Sequence, residues 1–97
     1  MSAVAFFDGL AGQVPGDFTA QAREAMEALR VELDAVGSSL ASVVAVTAYL
    51  TDADRAAELA PLLADFAGGS LLAVAVLQVA QLSEPGMLLE LGAVAVV

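Results

Sequence analysis

The sequence has no cysteine, no histidine and no lysine. Without cysteine the chain can form no disulfide, no thiol nucleophile and no cysteine-ligated metal site, and without histidine it has no imidazole chemistry. Three basic side chains oppose twelve acidic ones, so the formal net charge is −9 at pH 7. Because such a charge repels nucleic-acid phosphates and anionic lipids, we expect neither as a partner. No sequence motif indicates a metal or an organic cofactor.

The chain is short and unusually apolar. Its 97 residues fit one domain, 1–97, for which oligomerisation would add buried surface. The charge-free run 66–83 reaches the roughly 18-residue length of a candidate spanning helix. Glycines at its start and Gln78 and Gln81 near its end shorten the apolar core, so buried sheet in an oligomer explains the mean hydropathy of +0.85 better than a membrane does. No basic segment precedes the apolar N-terminus, as it would in a signal peptide, and we expect a cytoplasmic protein.

The C-terminal third, residues 70–97, consists of two apolar arms around Glu84-Pro85-Gly86-Met87. Proline presets the first corner of a type II turn and glycine supplies its positive φ, so the pattern predicts a β-hairpin. Strands this apolar are seldom half exposed. We therefore expect one face against helices and much of the other against a second chain.

The N-terminal half contains a second turn signal and one long helix. Asp8-Gly9 between two short apolar runs predicts a type I′ hairpin over residues 3–14. A helical pattern follows over about 18–35, with Asp17 as its N-cap and Gly37 as its C-terminal stop.

The middle of the chain predicts a strand and a second helix. Residues 43–50 are rich in β-branched side chains and predict a strand. A helix over about 55–66 follows, with a kink or restart near Ala60 because Pro61 lies too far inside it for an ordinary first-turn proline. The resulting order, ββαβαββ, predicts an α+β fold with one mixed sheet and two helices packed on one face.

Four segments, taken in order, carry a family resemblance: AGQVP (11–15), QAREAMEALRVELDAVG (21–37), VVAVTAYLTD (43–52) and VAQLSEPGMLLELGAVAV (79–96). They resemble the Rid family (YjgF/YER057c/UK114, also labelled endoribonuclease L-PSP), whose founding activity is hydrolysis of reactive enamines and imines. The resemblance implies a chorismate-mutase-like protomer. It also implies a homotrimer whose sheets line a central barrel and whose ligand clefts lie between subunits.

The same resemblance implies a cleft without its usual cation. Val74 stands where the family's deaminases carry the arginine that binds the substrate carboxylate, and valine cannot replace a bidentate guanidinium contact. Three further positions depart from the family pattern: Ala11 replaces a serine before the GQ glycine, Leu59 a frequent asparagine, and Val76 a cysteine or similar small residue.

Glu90 is the polar group that the resemblance retains, because it matches the glutamate that orients the attacking water. Glu90 is at an even-numbered position, as are Val74, Val76 and Gln78. Because side chains alternate between the two faces of a strand, we expect all four to lie on one side of the sheet. Among valine and leucine side chains its pKa would be raised, which would make it a candidate general base. The alternative is a solvated carboxylate at the sheet rim.

The remaining polar candidates have structural alternatives. The backbone N–H groups of Gly12 and Gln13 could contact a ligand, although a glycine near a strand end more often marks a bend. Tyr49 is expected to be a packed strand residue. Asp52 and Asp54 fit helix capping better than a metal site, and Arg55 is expected to pair with Glu58 or face water.

Two functions remain open. The first is a homotrimeric binding or accessory protein that holds a small apolar ligand in its intersubunit cleft. The alternative is a divergent imine or enamine deaminase that uses Glu90 to orient water.

Overall fold

In the computed structural model, which describes residues 3–68 and 73–97, four strands form one mixed sheet in the order β1-β4-β2-β3. The helices and strands are, in chain order, β1 (Val4–Leu10), α1 (Phe18–Ala35), β2 (Val43–Leu50), α2 (Ala56–Ala67), β3 (Ala73–Gln78) and β4 (Leu89–Val96). Short 3-10 turns at Leu40–Ser42 and Ala53–Arg55 precede β2 and α2 respectively. The predicted α+β fold with one mixed sheet and two helices is confirmed.

Helix α1 begins and ends where the sequence predicts. The Asp17 carboxylate accepts a hydrogen bond from the Ala20 N–H at 2.8 Å and so caps the first turn. Gly37 adopts a φ of +72° just beyond the last turn, a conformation that glycine reaches without steric cost. The buried side chains of α1 are Phe18, Gln21, Ala22, Ala25, Met26, Leu29 and Leu33.

Helix α2 contains a proline without being divided by it. The helix runs from Ala56 to Ala67 through Pro61, so the predicted restart near Ala60 is absent. Leu59 and Leu63 are buried on its inner side, and their packing holds the helix in place where the proline lacks an N–H. Gly68, with a φ of +61°, ends the helix.

The predicted N-terminal hairpin is wrong, because residues 4–10 form the single strand β1. It pairs antiparallel with β4, and the register shifts between Phe7 and Leu10. This irregularity lies at Asp8-Gly9, where Gly9 has a φ of +68°. Phe7 and Leu10 are three residues apart, and both are buried. In a regular strand, residues three apart point to opposite faces, so the extra residue of the bulge is what allows both side chains to face the core.

The predicted C-terminal hairpin is also wrong, although its turn is present. The Met87 N–H donates to the Glu84 carbonyl at 3.2 Å, and Gly86 has a φ of +87°, as a type II turn requires. However, β2 lies between β3 and β4, pairing parallel with the former and antiparallel with the latter. Helix α2 makes the crossover that a parallel pair needs, and residues 79–88 then connect β3 to β4 across the end of β2.

The two faces of the sheet differ in what covers them. Leu50, Leu89 and Leu91 point towards the helices and are fully buried. The other side, here called the open face, carries the alternating residues of β1, β2, β3 and β4. Phe6 on this face is 72% exposed and Val4 is 54% exposed. Within the described ranges, neither helix is long and apolar enough to cross a bilayer.

Candidate functional site

Glu90 lies on the open face of the sheet. Its cross-strand partner in β2 is Tyr49, and Tyr49 is paired in turn with Leu77 of β3. Directly opposed residues project from the same side of a sheet, so these three side chains form a row across the open face. Glu90 and Tyr49 are half-buried, whereas Leu77 is exposed.

The expectation that Glu90 shares a face with the candidate residues of β3 is wrong. Val74 and Val76 pair with Val46 and Ala48, which are buried on the helix side of β2. Gln78 continues the same alternation. Glu90 and the β3 candidates would share a face if β3 and β4 paired in the expected register. Because β2 lies between these two strands, its pairings with each of them decide which side chains lie on which face. Within one chain, Glu90 and the β3 candidates therefore lie on opposite sides.

Strand β3 is exposed along its whole described length. All six residues from Ala73 to Gln78 are exposed, and Val74 keeps 47% of its surface accessible although it points to the helix side. The Gln78 side-chain oxygen accepts a hydrogen bond from the Ala53 N–H at 2.9 Å. This bond joins the end of β3 to the turn that precedes α2.

A second carboxylate, Asp8, lies beside Gly92 of β4. A Cβ atom placed on Gly92 would lie 3.2 Å from Asp8 Oδ1 and 3.8 Å from Tyr49 Cε2. The glycine therefore lets the Asp8 carboxylate and the Tyr49 ring lie close to the backbone of β4, with Glu90 two residues earlier in the same strand. Sequence reasoning missed Asp8, because it assigned the residue to a turn rather than to a bulge in β1.

The segment Ala11 to Gln13 rests directly on helix α1. A Cβ on Gly12 would lie 2.6 Å from Gln21 Cα, so glycine permits a close backbone approach here rather than a simple bend. The Gln13 N–H donates to Glu24 Oε2 at 2.6 Å. This backbone donor, predicted as a possible ligand contact, is thus engaged within the chain.

Gln21 is a polar residue of this region that sequence reasoning did not single out. Its side chain is buried and hydrogen-bonded to Gly16, Gly86 and Leu88. These partners lie up to 67 positions away in sequence. The sequence around Gln21 therefore gives little indication of its role. The one local signal is that a glutamine lies on the apolar side of a helix.

The proposed cleft position of Leu59 needs correction. Its side chain is only 1% exposed and belongs to the hydrophobic core. Because core atoms surround it, Leu59 cannot line an open cleft of the chain.

Arg55 pairs with Glu58, one of the two outcomes predicted for it. Its Nε lies 2.8 Å from Glu58 Oε2, and its guanidinium carbon lies 4.5 Å from the centre of the Phe18 ring. The hydrogen bond from Arg55 lowers the pKa of the Glu58 carboxyl below its ordinary value of 4.5. The Asp52 side chain accepts from the Asp54 N–H, so it caps the 3-10 turn Ala53–Arg55 rather than α2 itself.

The polar groups of the open face can hold or orient a small molecule through carboxylate and phenol oxygens. A separate depression of about 480 Å³ lies along the 79–88 connection and beside Thr51. In the described ranges, no group of three or more aspartate or glutamate side chains is arranged to hold a metal ion.

The family model described as Endoribonuclease L-PSP matches residues 7–97. Rv2704 of Mycobacterium tuberculosis, a member of the YjgF/YER057c/UK114 family, is 30% identical with a TM-score of 0.91, and the match covers 100% of this chain and 81% of that one. RidA from the Antarctic bacterium Psychrobacter sp. PAMC 21119 is 24% identical with a TM-score of 0.89, covering 99% of this chain and 85% of that one. The Rid family protein YyfB of Yersinia pestis is 22% identical with a TM-score of 0.85, covering 100% and 81% respectively. No curated protein sequence matches this chain.

Proposed function

Because the chain belongs to the endoribonuclease L-PSP (Rid) family, we propose that it is a homotrimeric binding or accessory protein without the carboxylate anchor of the deaminases. Its ligand is a small apolar molecule held in clefts between subunits. The observation that carries this proposal is Val74, an exposed apolar side chain at the position where the resemblance places the anchoring arginine.

The positions of the three arginines support the loss of anion binding. Arg30 pairs with Glu27 and Asp34 along α1, and Arg55 pairs with Glu58 at the start of α2. Arg23 lies on α1, beside a groove between the two helices. All three belong to the helical side of the molecule, and none lies on a strand, where it could replace the missing guanidinium.

The faces of the sheet support assembly from several copies. Glu90 and Val74 lie on opposite sides of one sheet, so a cleft that contains both must take one from each of two chains. The open face also exposes Phe6, Val4 and Leu77. Covering such apolar surface stabilises an assembly by about 25 cal/mol for each Å² removed from water.

The test is a comparison of wild type with Val74→Arg and Val74→Met. Binding of a short 2-oxo acid, a stable analogue of an imino acid, is measured by calorimetry on protein whose mass has been checked by light scattering. We expect wild type to be a trimer that does not bind the acid. Of the three proteins, only Val74→Arg should show measurable binding. Methionine approaches the length of arginine without its charge, so it controls for side-chain size.

Two results would refute the proposal. A monomeric wild-type protein would remove the intersubunit cleft. Tight binding of the 2-oxo acid by wild type would show that another group anchors the carboxylate.

A second candidate function, imine or enamine hydrolysis, is favoured by the placement of Glu90. The carboxylate is half-buried and lies opposite Tyr49 on the open face, where it could orient a water molecule. Turnover of imines generated in situ should then be lost in Glu90→Gln with the oligomer intact. Glu32→Gln, an exposed change on α1, should keep full activity. Full activity in Glu90→Gln would exclude this candidate.

A further inference from the structure

Gln21 is a fully engaged polar side chain inside the protein. It is 1% exposed, and its Nε2 group donates to the Gly16 carbonyl at 2.9 Å and to the Gly86 carbonyl at 3.0 Å. Its Oε1 atom accepts from the Leu88 N–H at 2.8 Å. Both amide protons and the oxygen are thus used, and each bond reaches a backbone group outside α1.

These three bonds join the loop after the cleft candidates Ala11–Gln13 to the connection that lines the depression beside Thr51. Gly16 belongs to the loop that continues from Ala11–Gln13, and Gly86 and Leu88 belong to the connection that leads into β4. The two segments also touch, since a Cβ placed on Gly86 would lie 2.8 Å from Val14 Cγ1. The backbone of Gln21 itself is the surface on which Gly12 rests.

We propose that Gln21 is the positioning residue of the cleft wall, which we define as residues 11–16 together with residues 84–88. The wall has no regular secondary structure of its own, so its position depends on bonds to its neighbours. One glutamine amide on α1 holds both halves of the wall at once. This inference rests on the proposed function only in assigning the wall to a ligand cleft.

The chemistry of the amide explains why another residue of similar size could not form the same three hydrogen bonds. Glutamine supplies two donors and one acceptor. An ionised glutamate could still accept from Leu88 but would face the Gly16 and Gly86 carbonyls with negative oxygens. Methionine could form none of the three bonds and would leave buried backbone groups without partners, which costs more than an ordinary hydrogen bond contributes.

The experiment compares amide hydrogen exchange in wild type, Gln21→Met, Gln21→Glu and Leu33→Ala. Leu33 is a fully buried residue of the same helix and serves as a control for general destabilisation. Protection at Leu88 is measured by NMR relative to amides of β2, and the carbonyl carbon shifts of Gly16 and Gly86 report the two bonds that the Gln21 Nε2 group donates. In Gln21→Met, relative protection at Leu88 should fall by about tenfold or more, as expected for the loss of one buried hydrogen bond. In Leu33→Ala the ratios should match those of wild type.

Gln21→Glu separates the bond that Gln21 accepts from the two that it donates. Leu88 should stay protected because an oxygen acceptor remains, whereas the carbonyl shifts of Gly16 and Gly86 should move towards those of carbonyls without a hydrogen bond. The change in these two carbonyl shifts should grow as the pH rises through the ionisation of the new carboxyl, since the protonated acid can still donate one hydrogen bond. The wild-type shifts of Gly16 and Gly86 should not follow this trend, because the amide of Gln21 does not ionise.

Two results would overturn the proposal. One is unchanged relative protection at Leu88 in Gln21→Met together with unchanged Gly16 and Gly86 carbonyl shifts in both Gln21 variants. The other is a uniform loss across the chain that matches Leu33→Ala. The measurement needs no ligand, so its failure would leave the binding proposal standing, and a failure to bind ligand would leave the role of Gln21 intact.

Discussion

Gly12 shows how strongly a single side chain can constrain this fold. A Cβ at this position would lie 2.6 Å from Cα and 2.7 Å from the carbonyl oxygen of Gln21. Both atoms belong to a helix backbone, which cannot move aside as a flexible side chain could. We expect Gly12→Ala to lower the free energy of unfolding by about 1–3 kcal/mol, the usual cost of overpacking, as measured by urea denaturation.

Gly37 provides the matched control, because the reason for glycine there is conformational. It has a φ of +72° and open space where a Cβ would lie. Asparagine tolerates this conformation better than other residues with a side chain. Gly37→Asn should therefore cost less than Gly37→Ala, whereas Gly12→Asn should cost more than Gly12→Ala. The same order at both positions would contradict the steric explanation for Gly12.

The pair of Arg55 and Glu58 predicts a pH dependence. The hydrogen bond from Arg55 lowers the pKa of Glu58 in the folded chain below 4.5. A carboxyl with a lowered folded pKa stabilises the native state above its unfolded pKa, and this contribution is lost as the pH falls through the folded value. In an NMR titration of the Glu58 side chain, Arg55→Gln should move the midpoint upwards, towards 4.5.

Stability measurements give an independent readout of the same pair. Wild type should exceed Glu58→Gln in stability at neutral pH, and the difference should shrink as the pH falls below 4.5. It should also shrink at high salt, because the pair is solvent-exposed. A difference that persists in strong acid would show that the pair is not its source.

Local residue roles could be predicted from the sequence, but distant ones could not. The cap at Asp17 and the pairing of Arg55 with Glu58 join residues only three positions apart. Gln21, by contrast, bonds to residues 65 and 67 positions away. The neighbours of Glu90 were predicted wrongly for the same reason, since they depend on which strand lies beside β4.

At the scale of elements, hydrophobic periodicity located the strands but not their order. The apolar runs predicted β2, β3 and β4 correctly, and the Glu84–Met87 turn is present. The turn does not determine which strand lies beside β3 in the sheet, however. A connection of ten residues is long enough to cross the end of β2, so β3 and β4 need not be neighbours. The bulge in β1 was missed because Asp8-Gly9 is compatible with both a tight turn and an irregular strand.

Pro61 weakens the helix that contains it. It lies inside α2, where it lacks the N–H that would bond the preceding turn. Pro61→Ala should raise the free energy of unfolding by about 2 kcal/mol, because the helical gain exceeds the entropy that proline removes from the unfolded chain. Ala64→Pro, at another exposed position of the helix, should act in the opposite direction. Unchanged or lower stability of Pro61→Ala in thermal denaturation would mean that the proline ring makes contacts that offset its cost.

For the molecule as a whole, charge and apolar surface are arranged on different sides. The described ion pairs lie on α1 and at the start of α2, whereas the open face of the sheet exposes valine, leucine and phenylalanine. Strand β3 adds an exposed apolar edge, which a natural protein usually covers or blunts. This asymmetry is the physical basis for proposing that several copies pack their sheets together and leave their helices in solvent.

Val4 and Val31 allow that assembly to be tested with a matched pair. Each is 54% exposed, but Val4 lies on the open face of β1 whereas Val31 lies on the surface of α1. Val4→Glu should place a carboxylate in the subunit interface of each copy, where desolvating it without a partner is costly, and light scattering should then show a shift from trimer to monomer. Val31→Glu adds the same charge and should leave the mass unchanged. Dissociation caused only by Val31→Glu would place the interface on the helices, and a mass unaffected by Val4→Glu would mean that this edge of the open face takes no part in assembly.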